Sequence, residues 1–208
     1  MTRLAALALV LAVPTSCSVA PPPDAGTEAG GAAGPAVGCD GQRYAPVREG
    51  LYVLPFPVGT RYRMSLGNCS SSFHGPLTPD QYAYDFVMEI GTPITASRAG
   101  TVVHVEASGR DGGFPNNLVV VRHDDDTYAQ YMHLTQGGAD VRVGDRVAPG
   151  DPIGRSGNTG LAGTPHLHFV VTTDGWAYRY ASVPVTFRNG APSETVLRGG
   201  VTYTALRY

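Results

Sequence analysis

The sequence predicts an all-β domain, a compact antiparallel sandwich or barrel, and three observations carry that expectation. Short runs rich in Val, Tyr and Thr follow one another after residue 38, with no convincing amphipathic helix between them. Turn signals separate the runs, among them Asp111-Gly112-Gly113, Asp124-Asp125-Asp126, Gly137-Gly138, Gly144-Asp145 and Asp174-Gly175. Gly and Pro number 27 and 17 among 208 residues, which suits a chain that reverses direction often. The formal net charge of −2 offers no basic surface that would argue for nucleic acid.

Residues 1–17 read as a signal segment. Arg3 gives a positive start, and the apolar run over 4–13 is too short to span a bilayer as a stable helix. The expectation is therefore an exported protein of the cell envelope, anchored or secreted. Pro14-Thr15-Ser16-Cys17 resembles a bacterial lipobox, whose cysteine becomes the lipidated N-terminus, although Pro14 stands where an aliphatic residue is usual. Ser18-Val19-Ala20 offers a soluble cleavage site instead. Any membrane contact would then run through a lipid on Cys17.

Residues 18–38 are rich in Pro, Ala and Gly and cannot bury a core, so they read as a flexible linker. The folded domain is expected over 39–208. With Cys17 lipidated, Cys39 and Cys69 remain as an even pair in an oxidising compartment, and a disulfide between them is expected. A zinc-ligand role for either cysteine is the rival, but neither has a nearby Cys or His at ligand spacing. Strand candidates follow at 51–55, 61–66, 82–88, 93–96, 101–106, 118–123, 127–133, 141–143, 167–172, 184–187 and 201–205. The glycine-rich stretch 154–163 lacks the lysine of a phosphate loop and reads as a mobile loop.

The chemistry centres on His166-Leu167-His168. In a strand, residues i and i+2 share a face, so both imidazoles project side by side while Leu167 enters the core. Asp85 lies between Tyr84 and Phe86, opposite them in a strand, and a carboxylate among aromatics is costly to bury unless it is paired or binds a metal. A hydrolytic zinc site needs three protein ligands and an open position. His74, Asp85 and His168 can supply two nitrogens and an oxygen. His133 and His166 are then left for proton transfer and for stabilising an oxyanion.

In order and spacing, a series of short motifs resembles the lysostaphin/LytM-type zinc metallopeptidases of bacterial cell walls over roughly residues 50–187. The motifs are Phe73-His74, Ala83-Tyr84-Asp85-Phe86, Gly91-Thr92-Pro93, Tyr131-Met132-His133-Leu134, Gly157-Asn158-Thr159-Gly160 and His166-Leu167-His168-Phe169. The resemblance implies a compact antiparallel β fold of the duplicated hybrid motif type, with a loop-bordered groove. It implies one Zn²⁺ per chain on His74, Asp85 and His168, and catalytic roles for His133 and His166. It implies a monomeric endopeptidase whose partners are peptidoglycan stem peptides and cross-bridges. The alternative is a non-catalytic wall-binding activator, as in relatives that have lost ligands, yet all five positions are filled here. One departure stands out: compact members carry His-x-x-x-Asp, whereas eleven positions separate His74 from Asp85, with an insert at 75–81 that must loop out.

Other polar residues have plainer expectations. His104 and His123 read as a surface and a structural histidine. Asp124, Asp125 and Asp126 read as a solvated turn rather than a calcium site, and Tyr131 as a wall of the groove. Asn117 could bond backbone or reach substrate.

Overall fold

The computed structural model describes residues 38–70 and 72–208. The expected signal segment, Cys17 and all of the linker except Gly38 lie outside the described residues. Twelve strands follow in chain order: β1 (Arg61–Leu66), β2 (Tyr84–Val87), β3 (Pro93–Thr95), β4 (Gly100–Glu106), β5 (Leu118–Arg122), β6 (Tyr128–Met132), β7 (Leu134–Ala139), β8 (Arg146–Val147), β9 (Pro152–Ser156), β10 (His166–Thr173), β11 (Ala181–Ser182) and β12 (Thr202–Thr204). Among the described residues the only helical segment is one 3₁₀ turn, Val47–Glu49. Nine strands form a sheet in the order β12–β1–β2–β10–β6–β5–β4–β8, with β11 on β10, and β3–β9–β7 form a smaller sheet. Every ladder is antiparallel, as the alternating patterns predict.

Alternation decides what each face of the large sheet carries. Tyr84 and Phe86 of β2 and Leu167, Phe169 and Val171 of β10 point one way and are fully or almost fully buried. They join Val119, Val121, Ala129 and Tyr131, together with Leu134, Ile94 and Ile153 of the smaller sheet, in one continuous core. Edge-to-face aromatic contacts knit it, such as Phe56 on Phe86 at 5.3 Å between centroids. Each fully buried side chain of this size contributes about 1.5–3 kcal/mol. The odd-numbered residue of β2 between the two aromatics, Asp85, is thereby forced to the opposite face, along with His166 and His168.

The structure departs from the expected elements in four places. Residues 52–55 and 185–187 are buried, yet the runs form only one parallel bridge, Tyr52 to Phe187. Pro55 and Pro184 have no N–H to give a ladder. Residues 141–143 are not a strand. The pairing segment lies just before them in β7, where Gly137-Gly138 sits inside a bulged strand instead of ending one. A Cβ on Gly138 would meet the Thr135 and Arg155 carbonyl oxygens at 2.8 and 3.1 Å, so the close approach needs glycine. Residues 154–156 belong to β9, and Thr159 beyond them is fully buried, so the stretch 154–163 is a strand end and a pinned loop.

Cys39 and Cys69 are joined, with Cα atoms 5.1 Å apart, and tie the N-terminal arm to the start of the β1–β2 connection. The Cys69 N–H donates to the Gln81 carbonyl oxygen (2.8 Å), which closes the base of the insert. Leu77 at its tip is almost wholly exposed.

Candidate metal centre

Antiparallel register assembles the centre. His168 on β10 stands opposite Asp85 on β2 and opposite Met132 on β6. His133 follows β6 directly and has φ of +64°, a left-handed conformation uncommon outside glycine. Continued alternation would send it into the core with Tyr131. The kink turns it to the opposite face, and the Asn116 side-chain oxygen accepts its backbone N–H (3.0 Å). His74 comes from the β1–β2 connection, just ahead of the insert, and is completely buried. All five expected residues therefore line one groove of about 840 Å³, rimmed by the largely exposed side chains Phe73, Phe114, Leu161 and Tyr178.

The polar contacts sort these residues. Asp85 Oδ1 lies 2.9 Å from His168 Nδ1, 3.3 Å from His74 Nε2 and 3.7 Å from His166 Nε2. The His74 approach is off the hydrogen-bond direction, so both of its buried ring nitrogens lack a hydrogen-bond partner. His74 is the one described residue with two such orphaned atoms, and an imidazole left so beside a buried carboxylate calls for a cation. Donor atoms of His74, Asp85 and His168 all lie within 4.8 Å of one another, and so do those of His133, His166 and His168. The first set fits a zinc ion better. It includes a carboxylate to offset a buried dication, and it uses the otherwise unpartnered His74.

His133 and His166 are each held at Nδ1 by a backbone carbonyl, of Thr159 and Thr164, both at 2.7 Å. That contact makes Nδ1–H the donor and leaves Nε2 bare. Burial, then the neighbouring His168 and His166, push His133 down to about 3, so it is neutral at ordinary pH. Burial pushes the Asp85 carboxyl up, but the imidazoles of His168 and His74 reverse this and hold it well below the usual carboxylate range. Burial would lower His168, yet Asp80 and Asp85 on its two nitrogens raise it to about 10 in the metal-free chain.

Of the other residues singled out in the sequence, Tyr131 departs from expectation, whereas Asn117, His123 and the Asp124–Asp126 turn take structural places. Tyr131 is in the core, its hydroxyl oxygen accepting the Ser97 N–H (2.7 Å), and is no part of the groove. Asn117 is fully buried and bonds backbone at Gly109, Leu134 and Thr135. His104 is half-buried under Trp176, with centroids 4.1 Å apart. His123 is buried against Tyr52 with Nδ1 on the Ala99 carbonyl, and Arg98 pairs with Asp124 and Asp125 in the turn. Asp80 and Tyr180, which no sequence signal singled out, both line the groove.

Residues 80–180 match the model of peptidase family M23. The chain carries an M23 peptidase domain. The matched segment includes Asp85, His133, His166 and His168 and begins after His74. Over 112 residues the domain is 38% identical to the glycyl-glycine endopeptidase ALE-1 of Staphylococcus capitis, covering 54% of this chain and 30% of the relative. Over 141 residues it is 33% identical to the peptidoglycan DD-endopeptidase ShyA of Vibrio cholerae, covering 65% and 31%. The chain thus spans under a third of these curated relatives. Among solved structures, the M23 metalloprotease pseudoalterin from the deep sea matches with a TM-score of 0.50 at 17% identity, over 75% of this chain and 95% of that one, a likeness of fold. The M23 assignment agrees with the resemblance read from the motifs.

Proposed function

We propose that the chain is a zinc-dependent endopeptidase that cuts peptide cross-links of bacterial peptidoglycan. The observation that carries this is one open groove in which a buried carboxylate and four imidazoles converge, one imidazole with both nitrogens uncommitted. His74, Asp85 and His168 would hold the ion. When bound, Zn²⁺ supplies Lewis acidity, polarising a scissile carbonyl and bringing the pKa of a water to about 7. His133 and His166 do the proton work. Each presents a bare Nε2, because its Nδ1–H is held by a carbonyl. An uncharged Nε2 takes the proton of the attacking water. The resulting imidazolium then donates to the tetrahedral oxyanion or to the departing amine.

ALE-1 and ShyA, by their names, act on different bonds, so the cross-link cut here is to be read from products. The assignment of residues 1–17 as signal, 18–38 as linker and 39–208 as catalytic domain supports export to the envelope or beyond. A lipid on Cys17, the Cys39–Cys69 bond in the oxidised protein and a monomeric state belong to the same proposal. The test is digestion of purified sacculi of several wall types, with products resolved by mass. New muropeptides that appear with Zn²⁺ and vanish with a chelator are expected. Unchanged sacculi across glycine-bridged and directly cross-linked walls would reject the reading.

A further inference from the structure

We propose that Asp80 and Tyr180 act together as a positioning pair for His168, fixing which of its two nitrogens faces the metal. This rests on His168 being a zinc ligand. The Asp80 Oδ1 atom lies 3.3 Å from His168 Nε2, on the side of the ring away from Asp85. The same oxygen accepts the Tyr180 hydroxyl at 2.6 Å. Asp80 is the fifth residue before Asp85 and sits in the segment that separates His74 from Asp85. Tyr180 is a hundred residues further on, at the end of the β10–β11 connection, and is itself almost buried. Two remote segments thus meet on one carboxylate oxygen.

The contact matters because an imidazole can present either edge. With Nε2–H donated to Asp80, Nδ1 is the nitrogen turned toward Asp85 and His74 and the one a bound ion would use. A ligating histidine whose other N–H is held by a carboxylate is oriented and made a stronger donor, and loss of such a partner costs about 10–100-fold in metal affinity. Tyr180 in turn holds Asp80. The β10–β11 connection is itself anchored, since Trp176 lies on His104 and the Thr172 hydroxyl donates to the Gly175 carbonyl (2.8 Å). The long insert therefore contributes a carboxylate as well as length.

The test is Zn²⁺ affinity of the purified chain, measured by competition with a chromophoric chelator, with far-UV circular dichroism as the folding control. Asp80→Ala is expected to weaken Zn²⁺ binding by about 10–100-fold. Asp80→Asn keeps an acceptor oxygen for Nε2–H and is expected to recover most of that loss. Tyr180→Phe is expected to weaken binding several-fold in the wild-type background and not at all in Asp80→Ala. In a His168→Ala background Asp80→Ala should change the residual affinity by less than about twofold, because nothing remains to be oriented. Wild-type affinity in folded Asp80→Ala would overturn the proposal, as would an equal loss in the His168→Ala background. If Asp80→Ala does not fold, Tyr180→Phe decides, and unchanged affinity there overturns it. A wild-type chain that binds no Zn²⁺ would instead overturn the parent reading.

Discussion

At the scale of single residues, the groove separates two kinds of imidazole. His74 has two buried nitrogens with no partner, whereas His133 has one nitrogen held by Thr159. Removing a ligand and removing a proton carrier should therefore fail differently. Asp85→Ala removes the one carboxylate among the three expected ligands and is expected to lose stoichiometric zinc and all activity. His133→Ala is expected to keep one zinc per chain, by elemental analysis, and to lose about 100-fold or more in kcat. Zinc lost from His133→Ala but kept by Asp85→Ala would mean that the ion uses the all-histidine set. The sequence made this distinction partly legible. His166-Leu167-His168 has a spacing that fixes both rings on one face, and Asp85 is flanked by aromatics that must be buried. Asp80 and Tyr180 carry no such local signal, because their relation to His168 exists only once a loop, a strand and a crossing connection meet.

At the scale of elements, the strands with unbroken alternation were readable and those that depend on glycine were not. β5, β6 and β10 are runs of five or more residues rich in strand formers and free of Gly and Pro, so their strand character follows from composition. β7 and β9 contain Gly137-Gly138 and Gly154, which read locally as turns and act here as close-approach points between two bulged strands. The kink at His133 was equally hidden, since nothing in Tyr131-Met132-His133 announces a left-handed residue. What holds these elements in place is Asn117. Its side chain accepts the Gly109 N–H and donates to the carbonyls of Gly109, Leu134 and Thr135, while its own N–H donates to the Thr159 hydroxyl. It thus joins the β4–β5 connection, the start of β7 and the loop that holds His133. Asn117→Ala would leave buried backbone groups unpaired and is expected to cost roughly 2–4 kcal/mol, seen as a lower urea midpoint at unchanged slope. The Cys39–Cys69 link works on the same scale from outside the sheet. Closing a loop of sequence separation 30 stabilises by roughly 3–4 kcal/mol in the chain-entropy model. The Cys39→Ser, Cys69→Ser double variant should show a loss of that size in urea titration of the zinc-loaded protein, and an unchanged midpoint would mean the arm contributes nothing.

At the scale of the whole molecule, the centre couples folding to both protons and metal. In the metal-free chain His168 sits between Asp80 and Asp85, and despite the opposing push of burial its pKa is raised to about 10, against about 6.5 when unfolded. A raised histidine contributes stability that is fully present below the unfolded value and is lost as pH rises through the folded one. His133 works in the opposite sense. Burial, with His168 and His166, lowers it to about 3, so its contribution is complete above the unfolded value and fails only as pH falls. Asp85, held low by the imidazoles against burial, also fails only in acid. Between about pH 6.5 and 9, below the ordinary range of unfolded tyrosines, the raised value of His168 makes stability fall as pH rises. One extra proton bound by the native state corresponds to roughly 1 kcal/mol per pH unit, or about 2–4 °C in a domain of this size. The chelator-treated chain should therefore lose Tm by about that much per pH unit across this window. With zinc on His168, Nδ1 carries no proton to lose, and the slope should flatten while Tm rises. Parallel thermal scans with Zn²⁺ and with chelator read both slopes. A metal-free Tm that climbs with pH over this range would show that the two carboxylates do not hold a proton on His168, and the charge balance of the cage would have to be redrawn.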